Sequence, residues 1–341
     1  EAIDTRNDKI SKLEGTAKKA VNEYVKRISK LSPWQYYFEL LSDEDLFLDL
    51  SEDLIEMEIA RFLLKYSNDL IKSGQIELED FAPLIYLKFM IFGLDEKIQV
   101  KQVIIDEAQD FSVFQLFALK KIIKDSSFTI LGDLSQGIHS FRGVENWEDV
   151  LENVFDIKRS EFMTLEQSYR TSIEIMDAAN LVIGLLNNER LIKAKPVFRH
   201  GKPVKLIGNK LNVAALTKIA DMIRGCVERG LKSIAVILKT IDDCNEIYKK
   251  FKGILPEINL ITGKEDAYKG GIVIVPTYLS KGLEFDSVFI LNVHDFKESE
   301  LDIKLLYVAM TRALHELYLI YNNCTPIIAE LESVCEVENQ L

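Results

Sequence analysis

Two adjacent carboxylates, Asp106 and Glu107, follow the apolar run Val103-Ile104-Ile105 and open the stretch Asp106-Glu107-Ala108-Gln109-Asp110. Paired carboxylates at the end of a buried strand suit a nucleotide. One holds Mg²⁺, usually through water, and the other orients or deprotonates an attacking water. Read alone, the stretch equally describes solvated charges after a strand. The next apolar run leads into Leu131-Gly132-Asp133-Leu134-Ser135-Gln136-Gly137-Ile138-His139-Ser140-Phe141-Arg142-Gly143. This segment adds a further carboxylate, Asp133, and an amide, Gln136, able to sense a γ-phosphate. His139 and Phe141 offer flat rings for stacking on bases. A glycine-rich turn over a buried Phe is the plainer reading of the same residues.

These side chains need a frame that holds strand ends together. From Val100 onward, short Val- and Ile-rich runs alternate with helical stretches. Strands are predicted at 103–105, 128–131, 204–207, 234–238, 258–261, 271–275, 288–291 and 317–321. Helices are predicted at 112–123, 171–186, 213–229, 241–251 and 301–314. Such alternation indicates an α/β fold of parallel sheets covered by helices on both faces, with ligands at the carboxyl ends of strands. The first ~98 residues read as helical instead. Leu13, Ala17, Val21, Tyr24, Ile28 and Leu31 recur at helical spacing, and Ser32-Pro33 with Gln35 forms a capping box. Ser51 is expected to start a further helix that Gly74 ends, and Phe81–Phe92 to form a buried helix. Nothing in this segment is catalytic on its face, so it reads as scaffold or arm.

The chain has 341 residues, 48% of them hydrophobic, and a net charge of −12. That is room for two domains and a small addition. The acidic balance argues against a general nucleic-acid coat and allows a basic protein partner. No apolar run reaches the ~18–20 residues of a membrane span. Cys226, Cys244, Cys324 and Cys335 show no C-x-x-C spacing, so a zinc site is not expected and reduced thiols fit the cytoplasm. The first residue is Glu1 rather than Met, and the chain is expected to begin inside a longer protein.

With Leu165-Glu166-Gln167-Ser168-Tyr169-Arg170-Thr171, Val275-Pro276-Thr277-Tyr278-Leu279-Ser280-Lys281-Gly282-Leu283-Glu284-Phe285-Asp286 and Leu306-Tyr307-Val308-Ala309-Met310-Thr311-Arg312-Ala313, the two acidic segments resemble the UvrD/Rep class of superfamily 1 helicases. The five motifs stand in the family's order between 103 and 313. The resemblance implies RecA-like (P-loop NTPase type) domains using ATP and Mg²⁺. It implies Asp106 as the Mg²⁺ carboxylate, Glu107 as the residue that activates water, Gln136 as a γ-phosphate contact, and Arg170 and Arg312 as arginines reaching the same phosphate. Gly282 and Glu284 would lie near ribose or phosphates. Thr277 and Tyr278, with His139 and Phe141, would face single-stranded DNA. Two guanidiniums closing on developing phosphate charge is sound transition-state electrostatics.

Two departures qualify the resemblance. Nucleotide binding in this class needs a glycine-rich loop ending Gly-Lys-Ser or Gly-Lys-Thr, and the Gly-Lys pairs here are followed by Pro203 and Glu265. The chain alone is therefore expected to be inactive. Only 111 residues separate Arg170 from Gly282, too few for the large insertion of typical DNA-unwinding members. His139 also stands where those members show tyrosine, and Tyr278 where they often show histidine. A narrower resemblance, carried by Glu79–Leu87, Asp106–Gln115 and Tyr278–Glu284, is to the HelD-type ATPases. It implies binding to bacterial RNA polymerase and promotion of its release. The expected organisation is a helical segment over 1–98 (the end of an inserted arm and a core helix), the second half of a first RecA-like domain over 99–160, and a second RecA-like domain over 161–341. The alternatives are a UvrD/Rep-type DNA helicase acting in repair and a non-enzymatic interaction module.

Overall fold

The computed structural model describes residues 10, 12–13, 15–17, 19–21, 23–24, 31–52, 54–94, 99–139, 142–197, 199–264 and 270–338. These fall into two compact units. One holds the chain up to Val103 together with Phe114–Ser127; the other holds Ile104–Val113 and everything from Phe128.

The first unit is helical. The described residues between 10 and 24 are helical and exposed. Helix α1 (Pro33–Ser42) opens with the expected capping box: the Gln35 amide N–H donates to Ser32 Oγ at 3.3 Å, and the Ser32 N–H donates to Gln35 Oε1 at 2.8 Å. Helix α2 (Glu44–Ser51) is capped by Asp43, which accepts from Leu46 N at 3.0 Å. Ser51 therefore ends a helix rather than starting one. Its hydroxyl turns back to Leu48 O at 3.3 Å instead of capping forward, and helix α3 (Met57–Lys72) starts six residues beyond Ser51. Gly74, at φ +71°, stops α3 in the left-handed conformation that glycine tolerates. Helix α4 (Phe81–Phe92) forms as expected, but none of its residues is buried. Tyr86 packs edge-on to Phe114 and Phe117, while Phe81, Ile85, Met90 and Phe92 are exposed. An all-round apolar helix is buried only when every side finds a partner, and the described residues supply partners along one stripe.

Strands β1 (Gln102–Ile105) and β2 (Ser127–Ile130) pair, with helix α5 (Val113–Ile122) between them in sequence. Helix α6 (Trp147–Asn153) follows. The short strands β3 (Gln167–Ser168) and β4 (Lys195–Pro196) pair in parallel and flank helix α7 (Ile173–Gly184).

The rest of the second unit is built on a seven-stranded sheet. Its strands are β5 (Lys205–Gly208), β6 (Ser233–Leu238), β7 (Asn259–Leu260), β8 (Gly271–Pro276), β9 (Phe285–Ile290), β10 (Ala313–Tyr321) and β11 (Glu336–Glu338), in the order β11-β5-β10-β9-β6-β8-β7. Every pairing is parallel. Helices α8 (Val213–Glu228), α9 (Ile241–Lys252), α10 (Thr277–Ser280), α11 (Glu300–Met310) and α12 (Pro326–Leu331) make the connections. Central β6 is buried from Ile234 to Leu238, which explains its unbroken apolar sequence. Phe251, Phe289 and Tyr318 anchor the core on the side of α8 and α9, with the last two rings stacked at 4.3 Å.

Strands β9 and β10 begin three and four residues before their apolar runs. Ala313 already pairs with Phe285, and the register shifts before Glu316. His315 and Glu316 interrupt the hydrophobic pattern but remain in the strand because the Glu316 charge is satisfied there. Helix α11 correspondingly stops at Met310 rather than near Leu314.

Candidate nucleotide site

The acidic stretch sits directly after β1. The Leu131 N–H donates to Ile105 O at 2.8 Å and the Ala108 N–H to Leu131 O at 2.9 Å, tying the two strand ends together. Between those ties Glu107 takes the left-handed conformation, φ 52° and ψ 36°, uncommon for a residue with a side chain. The turn leaves Asp106 and Glu107 exposed. Asp106 Oδ1 accepts from the Glu107 N–H at 2.9 Å, and Glu107 Oε2 accepts from Gln109 Nε2 at 2.5 Å.

Gln109 is buried, 1% exposed, and organises the loop. Its Oε1 accepts from the Asp133 N–H at 3.0 Å, and its backbone carbonyl accepts from the Val144 N–H at 3.1 Å. A Cβ on Gly143 would stand 2.3 Å from that carbonyl, so this close approach requires glycine. Asp133 accepts from Ser135 N and from Gln136 Nε2, each at 2.9 Å. Gln136 then accepts from Arg312 Nη2 through Oε1 at 2.7 Å.

Arg312 is 1% exposed. Its Nε donates to Val308 O at 3.1 Å and its Nη1 to Leu283 O at 3.4 Å. Burial, then the neighbouring Arg170, lowers its pKa to about 10, so it stays charged at neutral pH. Arg170 donates to the same Leu283 carbonyl at 3.2 Å and pairs with Glu284 at 2.7 Å. Its Nε is buried with no hydrogen-bond partner among the described residues. Lys281 closes the cluster, donating to both Asp110 oxygens at 2.7 Å and standing 3.7 Å from Glu107 Oε2. The bend after Lys281 uses Gly282 at φ +78°.

Asp106, Glu107, Gln136, Arg170, Gly282, Glu284 and Arg312, spread over more than 200 residues of sequence, thus belong to one neighbourhood. The donor set fits a magnesium-bound nucleoside triphosphate. Two guanidiniums converge, one keeps a buried N–H without an acceptor, and exposed carboxylates stand on the other side of Gln136. The Gly-Lys-Ser/Thr loop is the part of such a site that this sequence does not contain.

The expected nucleic-acid residues behave less uniformly. Tyr278 is 42% exposed. His139 is half-buried; burial, then Arg142, lowers its pKa and keeps its ring neutral at pH 7. Phe141 lies outside the described residues. Thr277 is fully buried and its hydroxyl donates to Leu238 O at 3.0 Å, so this hydroxyl staples α10 to β6 instead of pointing outward. Gln109 and Lys281 lie within the motif segments, but their residue types and spacing assign them no role. Their partners, Asp133 N and Asp110, lie 24 and 171 residues away, and no local spacing indicates such pairs.

Residues 3–150 match the family model described as the UvrD/REP helicase N-terminal domain, and residues 271–320 match that of the UvrD-like helicase C-terminal domain. The ATP-dependent DNA helicase Rep of Buchnera aphidicola (from Acyrthosiphon pisum) is 26% identical over 233 residues, covering 63% of this chain and 34% of the relative. The DNA helicase II of Haemophilus influenzae is 26% identical over 228 residues, covering 63% and 29%. The Rep helicase of Escherichia coli K12 is 30% identical over 123 residues, covering 34% and 18%. The chain spans about a third or less of the length of these relatives. From both family models and the convergence of the five motifs in space, the chain carries domains of the UvrD/Rep-type superfamily 1 helicases.

Proposed function

We propose that this chain is part of an ATP-dependent DNA helicase or translocase of the UvrD/Rep type. The observation that carries the reading is the 2.7 Å hydrogen bond from Arg312 to Gln136. It joins the residue expected to sense the γ-phosphate to an arginine expected to reach that phosphate. On this reading 99–160 belong to a first RecA-like domain, 161–341 form a second, and 1–98 are scaffold.

Bound ATP with Mg²⁺ would supply the transferable phosphoryl group. Asp106 would hold the metal, and Glu107 would take the proton of an attacking water. Gln136, bonded to Arg312, would meet the γ-phosphate, the unsatisfied Arg170 Nε would find an acceptor there, and Glu284 holds Arg170 in place. Tyr278 and His139 offer rings to single-stranded DNA. The chain by itself hydrolyses no ATP, for want of the phosphate loop; turnover by the isolated chain that Glu107→Gln abolishes would overturn this.

A second reading is a HelD-type factor that binds bacterial RNA polymerase. The short interval from Arg170 to Gly282 favours it, but the relatives above carry DNA helicase names and fit the first reading better. The deciding experiment is ATP turnover of the full-length protein, alone, with single-stranded DNA, and with RNA polymerase. Stimulation by DNA is expected. Indifference to DNA together with stimulation by polymerase would replace the first reading by the second.

A further inference from the structure

Helix α3 has two apolar faces. Ala60 and Leu64 are buried, and Asn68 holds that side to the rest of the unit by donating to Leu41 O at 2.8 Å. The opposite side carries Ile59, Phe62 and Tyr66 at helical spacing, and these are 48%, 64% and 45% exposed. Phe62 and Tyr66 stack on one another at 6.0 Å, with their ring planes 13° from parallel. Leu50, Leu54 and Met57 are also exposed and lie just before and at the start of the helix. Contiguous exposed apolar side chains of this size mark contact surfaces, and spacing i, i+3, i+7 on a helix is the pattern of one that packs against another helix.

The surrounding charge selects the occupant. Residues 31–60 contain nine Asp and Glu and no Lys or Arg, and the helix then adds the exposed Arg61 and Lys65 beside Phe62 and Tyr66. Asp49, Glu52, Glu56 and Glu58 are exposed beside the apolar residues, and none of them forms an ion pair among the described residues. Against the two cations Arg61 and Lys65, the four carboxylates leave the N-terminal end of the face net acidic, which disfavours phosphates. That end attracts Lys and Arg and speeds encounter with a basic surface.

We propose that the Ile59–Phe62–Tyr66 face of α3, with its acidic rim, docks a basic amphipathic helix of a protein partner, whose apolar side meets the Phe62–Tyr66 stack and whose cations meet Glu52, Glu56 and Glu58. The surface shares no residue with the nucleotide site, and the proposal does not rest on the helicase reading.

The probe is a fluorescent synthetic helix of Leu and Lys, titrated by anisotropy against the chain. The double variant Phe62→Ser/Tyr66→Ser should weaken binding by about tenfold, as loss of an aromatic anchor does. The triple variant Glu52→Lys/Glu56→Lys/Glu58→Lys should weaken it roughly as much and flatten its salt dependence. All five positions are exposed, and unchanged circular dichroism melts check that the variants fold. As control, Glu145→Lys/Glu152→Lys/Glu330→Lys moves the same charge elsewhere and should leave binding within about twofold of the parent. An equal loss in the control would reduce the effect to net charge and sink the proposal. So would competition by single-stranded DNA, or a dimer of the chain that Phe62→Ser disperses, which would make the face a self-interface. Hydroxyl-radical footprinting of the full-length protein gives the last arm: Met57, Phe62 and Tyr66 should be labelled until the peptide is added, and protection without it would show the face already covered.

Discussion

The Arg312–Gln136 cluster and the network around Glu316 draw on similar side chains and differ in whether they close on themselves. Glu316, with its side chain 7% exposed, accepts from Lys202 Nζ at 2.6 Å, Arg229 Nη2 at 2.7 Å and the Tyr318 hydroxyl at 2.7 Å. Burial pushes its carboxyl up, but hydrogen bonds from Lys202, Tyr318 and Arg229 outweigh it and hold the group at about 2. Each charge there has a protein partner. At the other cluster, Arg170 keeps a buried N–H without an acceptor, Asp106 and Glu107 face solvent, and a backbone residue is held left-handed. A buried N–H left without an acceptor is costly. The open N–H at one place and the completed network at the other fit the proposed nucleotide site on one side and a structural ion cluster on the other.

That contrast can be broken by substitution. The largest effect is expected from Arg312→Ala in the full-length protein. ATP turnover should fall about 10³-fold or more, the scale of removing an arginine that stabilises phosphoryl transfer. An ordinary rate would place the arginine outside the chemistry. Next comes Glu316→Ala, which removes the partner of the half-exposed Lys202 and Arg229 and leaves the buried Tyr318 hydroxyl without its acceptor; it should cost about 2 kcal/mol of unfolding free energy at pH 7, read from denaturant curves. Because the folded pKa of Glu316 is about 2 and the unfolded value is about 4.3, its contribution is fully present above the unfolded pKa. It is lost as pH falls toward the folded one. The gap between parent and variant should therefore shrink between about pH 4.5 and pH 2; a gap that widens on acidification would contradict the network.

Smaller effects sharpen the comparison. Tyr278→Ala should weaken single-strand binding by roughly 1–3 kcal/mol if the exposed ring stacks on a base. Thr277→Val should cost about 1 kcal/mol of stability for the lost buried hydrogen bond. It should leave the salt dependence of DNA binding unchanged, because the hydroxyl meets Leu238 rather than a phosphate. A changed salt slope would return Thr277 to the nucleic-acid surface.

Much of this was legible along the chain. The Ser32 box, the stop at Gly74, the alternation of strands and helices after Val100, and the five motif segments are local patterns, each set by the geometry of a few consecutive residues. The start of β10 was not legible. His315 and Glu316 look like a break in an apolar run until Lys202, Arg229 and Tyr318 are seen to satisfy the carboxylate. The reach of α2 to Ser51 was also hidden, because Ser51 bonds backward and Asp43 does the capping.

The sequence by itself determined the residue types, their order, and the acidic stretch over 31–60, since these are properties of neighbours along the chain. Only the tertiary structure decided that Gln136 meets Arg312 across 176 positions, that Lys281 meets Asp110 across 171, and that Thr277 faces inward. It also decided that the outer faces of α3 and α4 stay exposed. Periodicity states that a helix has an apolar side, but whether anything covers that side depends on how distant segments pack.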